Sequence, residues 1–185
     1  NSLGMLTAAA VADFDGDGDQ DLVLVGEWSQ VRLFVNDQGR FEEKTQASGL
    51  EKTHGLWRQI TLTDLNNDGL PDLVVGNMGL NSRLRASTDK PLTLHINGFD
   101  QNGRVEQITC MYEGEESYPI LMLQDLVKQL PGLRKKYLKY NDYKDKTLDE
   151  IFSEAQLASM LTLKVEELAS RSEERRVGKE CRSRW

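Results

Sequence analysis

Cysteine is scarce: Cys110 and Cys181 are the only two in 185 residues, so a disulfide framework is neither required nor excluded. No apolar run approaches the ~20 residues that a membrane-spanning helix needs. Asn1 is preceded by no initiator methionine, basic n-region or h-region, as expected of a processed product or a fragment. Basic charge is in deficit. A formal net charge of -7 disfavours nucleic-acid backbones and anionic lipid and makes cations the natural partners. A nucleophile elbow, a phosphate loop and a zinc pattern are also missing. What is present is a hydrophobic content of 38%, adequate for a core.

The chain repeats itself. Placing Asp13 over Asp64, a shift of 51 residues, sets "LTAAAVADFDGDGDQDLVLVG" over "WRQITLTDLNNDGLPDLVVGN". The pairs 13/64, 17/68, 18/69, 21/72, 22/73 and 23/74 then coincide as Asp, Asp, Gly, Asp, Leu and Val. Each copy reads as strand, acidic loop, strand. Ile60 and Leu62 alternate with Thr61 and Thr63, the period of a strand with one buried face. Leu22 to Val25 and Leu73 to Val75 are short valine-rich runs of the kind buried on both faces. In the first copy Val31, Leu33 and Val35 continue the alternation, and "NDQG" offers a hairpin turn before "RFEEKT", giving four antiparallel strands. A four-stranded unit at this period is the signature of a β-propeller blade. After the second copy a long loop, "GNMGLNSRLRASTDKP", precedes "LTLHINGF", a strand that either closes the second blade or opens a third.

From about residue 122 the texture becomes helical. Leu126, Val127, Leu130 and Leu133 fall at helical spacing, with Pro131 dividing two short helices. "TLDE" at 147 to 150 and "SEAQ" at 153 to 156 are capping boxes. "LTLKVEEL" then reads as either more helix or a returning strand. The expected organisation is therefore all-β: a partial propeller of two to three blades over 1–121, a helical insertion over 122–160, the start of a further blade over 161–170, and a non-native tail over 171–185.

Chemistry concentrates in the acidic loops. The first aligns oxygens from Asp13, Asp15, Asp17 and Asp21, and the second from Asp64, Asn66, Asp68 and Asp72. Gly18 and Gly69 permit the sharp turn, and the seventh residue, Asp19 or Leu70, offers its backbone carbonyl, so its side chain is free to vary. Six to eight oxygens in a tight loop suit Ca²⁺ better than Mg²⁺. Carboxylates so close repel one another until a cation neutralises them. An EF-hand would need a bidentate Glu at the twelfth position and flanking helices, but Leu24 and Val75 stand there between strands. A third loop, "NGFDQNGRVEQ", places Asp100, Asn102 and Glu106 at matching offsets, but Gly98 replaces the first acid, leaving a weak or incomplete site.

These loops, each leading into "LVLVG" or "LVVG", resemble the FG-GAP/VCBS repeats of integrin-α-like β-propellers. The resemblance implies a Ca²⁺-holding hairpin between the first two strands of each blade. "GNMGLNSR", "YPILMLQDLVKQLPGLRKKYLKY" and "TLDEIF" resemble stretches of large bacterial VCBS-repeat proteins of the cell envelope, which carry a helical segment between blades. "RSEERRVGKECRSRW" is similar to adaptor-like read-through at broken ends of assembled sequence and is set aside, and because two or three blades cannot close a ring of 4 to 8, a longer native protein is expected.

The remaining features read as structural. His54 and His95 are expected to be exposed and non-catalytic, Cys110 to be a small packing residue, and Arg134 to Lys139 to be a solvated helix face. Trp28 and Trp57 are expected to pack at blade edges. The resulting expectation is a non-enzymatic, calcium-stabilised binding or adhesion module for protein or carbohydrate, with the remaining blades of its chain as further partners. An extracellular or cell-envelope setting follows from calcium sites of modest affinity. The rivals are a fragment of a Ca²⁺-dependent propeller enzyme, a polysaccharide lyase or hydrolase, and a structural spacer.

Overall fold

A computed structural model describes residues 4–69 and 71–173. Among them twelve strands run in three antiparallel sheets, with short helices between the tenth and eleventh strands. The fold is all-β and propeller-like, and the helical insertion is minor.

The chain divides into two units, one of residues up to Arg83 together with Val165 onward, the other of Leu84–Lys164. In the first unit β1 (Met5–Ala12), β2 (Asp21–Ser29), β3 (Arg32–Asp37) and β4 (Arg40–Glu43) lie side by side in chain order, and β5 (Gly55–Leu56) extends the pairing of β2. This is the four-stranded blade expected from sequence. Gln38 and Gly39 both take positive φ, 51° and 91°, as a two-residue hairpin turn between β3 and β4 requires.

The second sheet departs from that expectation. β6 (Gln59–Thr63) and β7 (Asp72–Gly76) form its first two strands, but the third, β12 (Arg171–Glu173), arrives after the whole second unit. In the first blade Leu22, Val23 and Leu24 face Phe34, Leu33 and Arg32. In the second, Leu73, Val74 and Val75 face Glu173, Ser172 and Arg171. Under the 51-residue shift the two registers are identical, and Arg171 stands where Arg32 stands. Residues 171–173, set aside in the sequence, thus occupy the third-strand place of a split blade. Residues 174–185, Cys181 among them, lie outside the described residues.

Both blades share one core. Val23, Val25, Val31 and Leu33 meet Leu73 and Val75 around Trp57. Trp57 has 0% exposure, and its indole N–H donates to the Thr53 carbonyl at 2.8 Å. Its place is therefore the interior between sheets rather than a blade edge, because its ring fills the space that valines leave open. Trp28 is half-buried with φ of 56°. Gly55 is compulsory beside Trp57, since a Cβ there would lie 2.6 Å from the ring.

The returning segment is tied down before it pairs with β7. Glu166 and Glu167 N–H groups both donate to the His54 carbonyl, at 2.8 and 3.0 Å, and Gly79 N–H donates to Leu168 O at 2.8 Å. Asn77 accepts from Leu56 N–H at 3.1 Å and donates to Glu167 O at 2.8 Å. The chain thus leaves the first unit and re-enters it at neighbouring points. His54 is half-buried, not exposed, because its Nδ1 sits 2.8 Å from Oε2 of the buried Glu166.

In the second unit β8 (Leu92–Asn97), β9 (Glu106–Glu113), β10 (Glu116–Pro119) and β11 (Leu161–Val165) take the order β10-β9-β8-β11. "LTLHINGF" therefore opens a third sheet, and "LTLKV" is a returning strand. His95 is half-buried rather than exposed. Its ring nitrogens lie 2.9 Å from Thr93 Oγ1 and 3.1 Å from Thr162 Oγ1, and burial lowers its pKa. The partner Thr162 belongs to β11, whose place beside β8 was invisible in the sequence.

Helices α1 (Leu123–Gln129), α2 (Leu133–Lys136), α3 (Leu148–Ile151) and α4 (Glu154–Leu157) follow the expected breaks. Glu150 accepts from Thr147 N–H at 3.0 Å and Gln156 from Ser153 N–H at 2.9 Å, the reciprocal half of each capping box. Leu126 and Leu130 of this segment join Phe99, Ile108, Cys110, Tyr137, Tyr143 and Phe152 in a second core. Cys110 is the small packing residue expected, and burial pushes its thiol up to about 12.

Candidate metal centre

Three loops join first strands to second strands: β1 to β2, β6 to β7, and β8 to β9. Their backbones follow one plan. At the fourth position Gly16, Asn67 and Gln101 have φ of 87°, 57° and 57°, and at the sixth Gly18, Gly69 and Gly103 have 96°, 84° and 84°. Glycine at the sixth position is thus a conformational need. At the third position the side chains of Asp15, Asn66 and Asp100 accept from the amide two residues on, at 3.2, 2.9 and 3.2 Å.

The ninth residue closes each loop. Asp21 Oδ2 accepts from Phe14 N–H at 2.6 Å, Asp72 Oδ2 from Leu65 N–H at 2.8 Å, and Glu106 Oε2 from Phe99 N–H at 2.9 Å. All three acids are buried. A buried carboxylate is tolerated when hydrogen-bonded, and the first-strand amide provides that bond each time.

In the first loop Asp13, Asp15 and Asp21 bring carboxylate oxygens within 4.8 Å of one another. Asp15 lies above the usual carboxylate value. Although its side chain is exposed, partial desolvation is the largest cause, the amide of Asp17 opposes it, and the charges of Asp21, Asp17 and Asp13 add to it. Asp17 accepts from Asp19 N–H at 2.8 Å through one carboxylate oxygen. In the second loop Asp64 accepts from Gly69 N–H at 2.9 Å, and Asn66 donates to Asp68 at 3.1 Å. Leu70 lies outside the described residues. In the third, Asp100 and Asn102 bond to each other at 2.8 Å, with Gly98 contributing no side chain.

Two side chains have roles that sequence reasoning missed. Asp21 Oδ1 also accepts from Asn36 N–H at 2.9 Å, so one carboxylate pins the loop, β2 and β3 together. Asp19 was expected to matter only through its main chain, but its Oδ2 accepts from Gln38 N–H at 2.8 Å in the β3–β4 turn. The only signal for either was "NDQG", whose Asn36 accepts from Gly39 N–H at 2.8 Å. Leu24 and Val75, where an EF-hand needs its glutamate, are buried strand residues.

Residues 13–75 match the family model of the FG-GAP-like repeat, spanning the first acidic loop to the strand after the second. This segment is an FG-GAP-like repeat. No curated protein and no solved structure matches the chain. The matched FG-GAP-like segment holds β2 to β6 whole, most of β7, and both loops.

The donor set fits a hard divalent cation. Three carboxylates of the FG-GAP-like repeat converge, every donor is oxygen, and the charges of Asp21, Asp17 and Asp13 add to the desolvation that raises Asp15, a repulsion that a bound cation would relieve.

Proposed function

We propose that this chain is a calcium-stabilised β-propeller module that binds a protein or carbohydrate at the cell surface or in the cell envelope, without catalysis of its own. The observation that carries the calcium reading is the convergence of Asp13, Asp15 and Asp21 on a loop whose backbone is repeated twice more. Asp13, Asp15, Asp17 and Asp21, with the Asp19 carbonyl, would hold one ion. Asp64, Asn66, Asp68 and Asp72, with the Leu70 carbonyl, would hold a second. Asp100, Asn102 and Glu106 would make a weaker third site. Bound calcium would supply charge neutralisation and a cross-link between the first two strands of each blade.

Support for a binding role comes from the FG-GAP-like repeat and its propeller-like sheets. An extracellular or envelope setting follows from the modest affinity of open loop sites, typically ~10⁻⁴ to 10⁻³ M in extracellular modules. The VCBS variety of the repeat fits the same setting. The test is thermal unfolding in chelator and in millimolar calcium. Calcium should raise the midpoint, and Asp15→Ala should shrink that rise. A midpoint indifferent to calcium would refute the reading.

A further inference from the structure

The second unit carries an apolar cleft beside its core, with Leu123 and Tyr137 shared between the two, away from the acidic loops of the first unit. Leu126 and Leu130 turn inward, with 0% and 2% exposure. Met122, Val127, Leu138 and Tyr140 instead line an open cleft of about 710 Å³. Met122, Leu138 and Tyr140 are 54%, 82% and 53% exposed. Apolar side chains on a concave surface suit insertion of a partner's apolar side chain.

Charge decides what fits. The chain as a whole is acidic, at -7, yet Lys128 and Arg134 line this cleft and exposed Lys135 and Lys139 stand on the same segment. Lys128 is paired with Asp125 at 2.7 Å. Among the described residues Arg134 makes no ion pair. A protein segment could cover the floor and the rim together. Tyr and Arg around an apolar centre are also the residues that dominate protein interfaces.

We infer that the α1–α2 cleft docks a protein segment that inserts a Leu or Phe side chain onto Leu138 and Tyr140 and presents Asp or Glu to Arg134. A carboxylate meeting Arg134 there can pair through two hydrogen bonds, and water exclusion by the apolar contact strengthens the pair. The inference extends the binding-module reading to a named surface. It does not depend on the calcium loops of the first unit, so the two can fail separately.

The test uses the full chain. A random dodecapeptide display library is panned against it, and recovered peptides are synthesised with a fluorophore and titrated by anisotropy. Recovered peptides should combine Leu or Phe with Asp or Glu. Leu138→Asp and Arg134→Glu should each weaken them about tenfold or more, and rising salt should weaken them too. Both positions are exposed, so an unchanged melting midpoint certifies the fold, and Leu138→Ala serves if Leu138→Asp lowers it. Undiminished binding to both variants would overturn the inference, as would peptides without acidic residues or a library that yields no binder. Displacement by sodium decanoate that itself saturates the cleft at equal affinity would assign it to small amphiphiles and overturn it as well.

Discussion

Asp21 and Asp15 lie in one cluster but do different work. Asp21 is fully buried and accepts amides from Phe14 and Asn36, so Asp21→Ala leaves two donors without their acceptor. Each such loss costs ~1–3 kcal/mol, and Asp21→Ala should lose stability to denaturant whether or not calcium is present. Asp15 is exposed, so Asp15→Ala should matter only with calcium. Equal losses for both variants in chelator would mean that Asp21 has no framework role. Glu43 gives a second residue-scale test. Arg32 holds its carboxylate below the usual value through bonds of 2.9 and 2.8 Å, outweighing burial, with Thr45 helping. A depressed folded pKa contributes stability above the unfolded value near 4.5 that is lost as pH falls through the folded one. Glu43→Gln should therefore flatten the acid side of the stability profile below about pH 4.5, measured by urea titrations at stepped pH. The matching positions of the acidic loops were legible in sequence because the repeat aligned them. The second bond of Asp21 was not, since Asn36 lies 15 residues away and a backbone amide leaves no mark in a sequence.

At the scale of elements, each loop is a rigid turn fastened to the strands it joins. The strands before and after it could be read from alternation and valine content, because one buried face imposes a period of two. β12 could not. Three residues are too short to show a period, and their pairing with β7 rests on backbone groups that any side chain carries. Trp57 was also misjudged as an edge residue, because composition says that tryptophan packs but not against which sheet. Its burial makes a clear expectation: Trp57→Ala should destabilise the chain by ~3–5 kcal/mol, and Gly55→Ala should also destabilise, since its new Cβ would meet the Trp57 ring. Thermal melts of both variants check this. A neutral Gly55→Ala would show that the ring has room to shift.

At the scale of the molecule, the second unit interrupts a blade. Because Gly79 N–H bonds to Leu168 O, the intervening chain starts and ends at one place, as inserted domains do. Replacing residues 84–164 with a short Gly–Ser linker should therefore leave the first unit folded, judged by circular dichroism and a cooperative melt. A chain without a melt would show that the first unit needs the second. The split also sets the order of events during synthesis. β7 is complete at Gly76, but its partner β12 follows only at Arg171. At ~5–20 residues per second, the nascent chain waits roughly 5–20 s with that edge unpaired. If Leu84–Lys164 folds during the wait, it draws its two ends together and lowers the entropy of closing so long a loop. The order of translation then makes the inserted unit a folding aid for the blade that it divides.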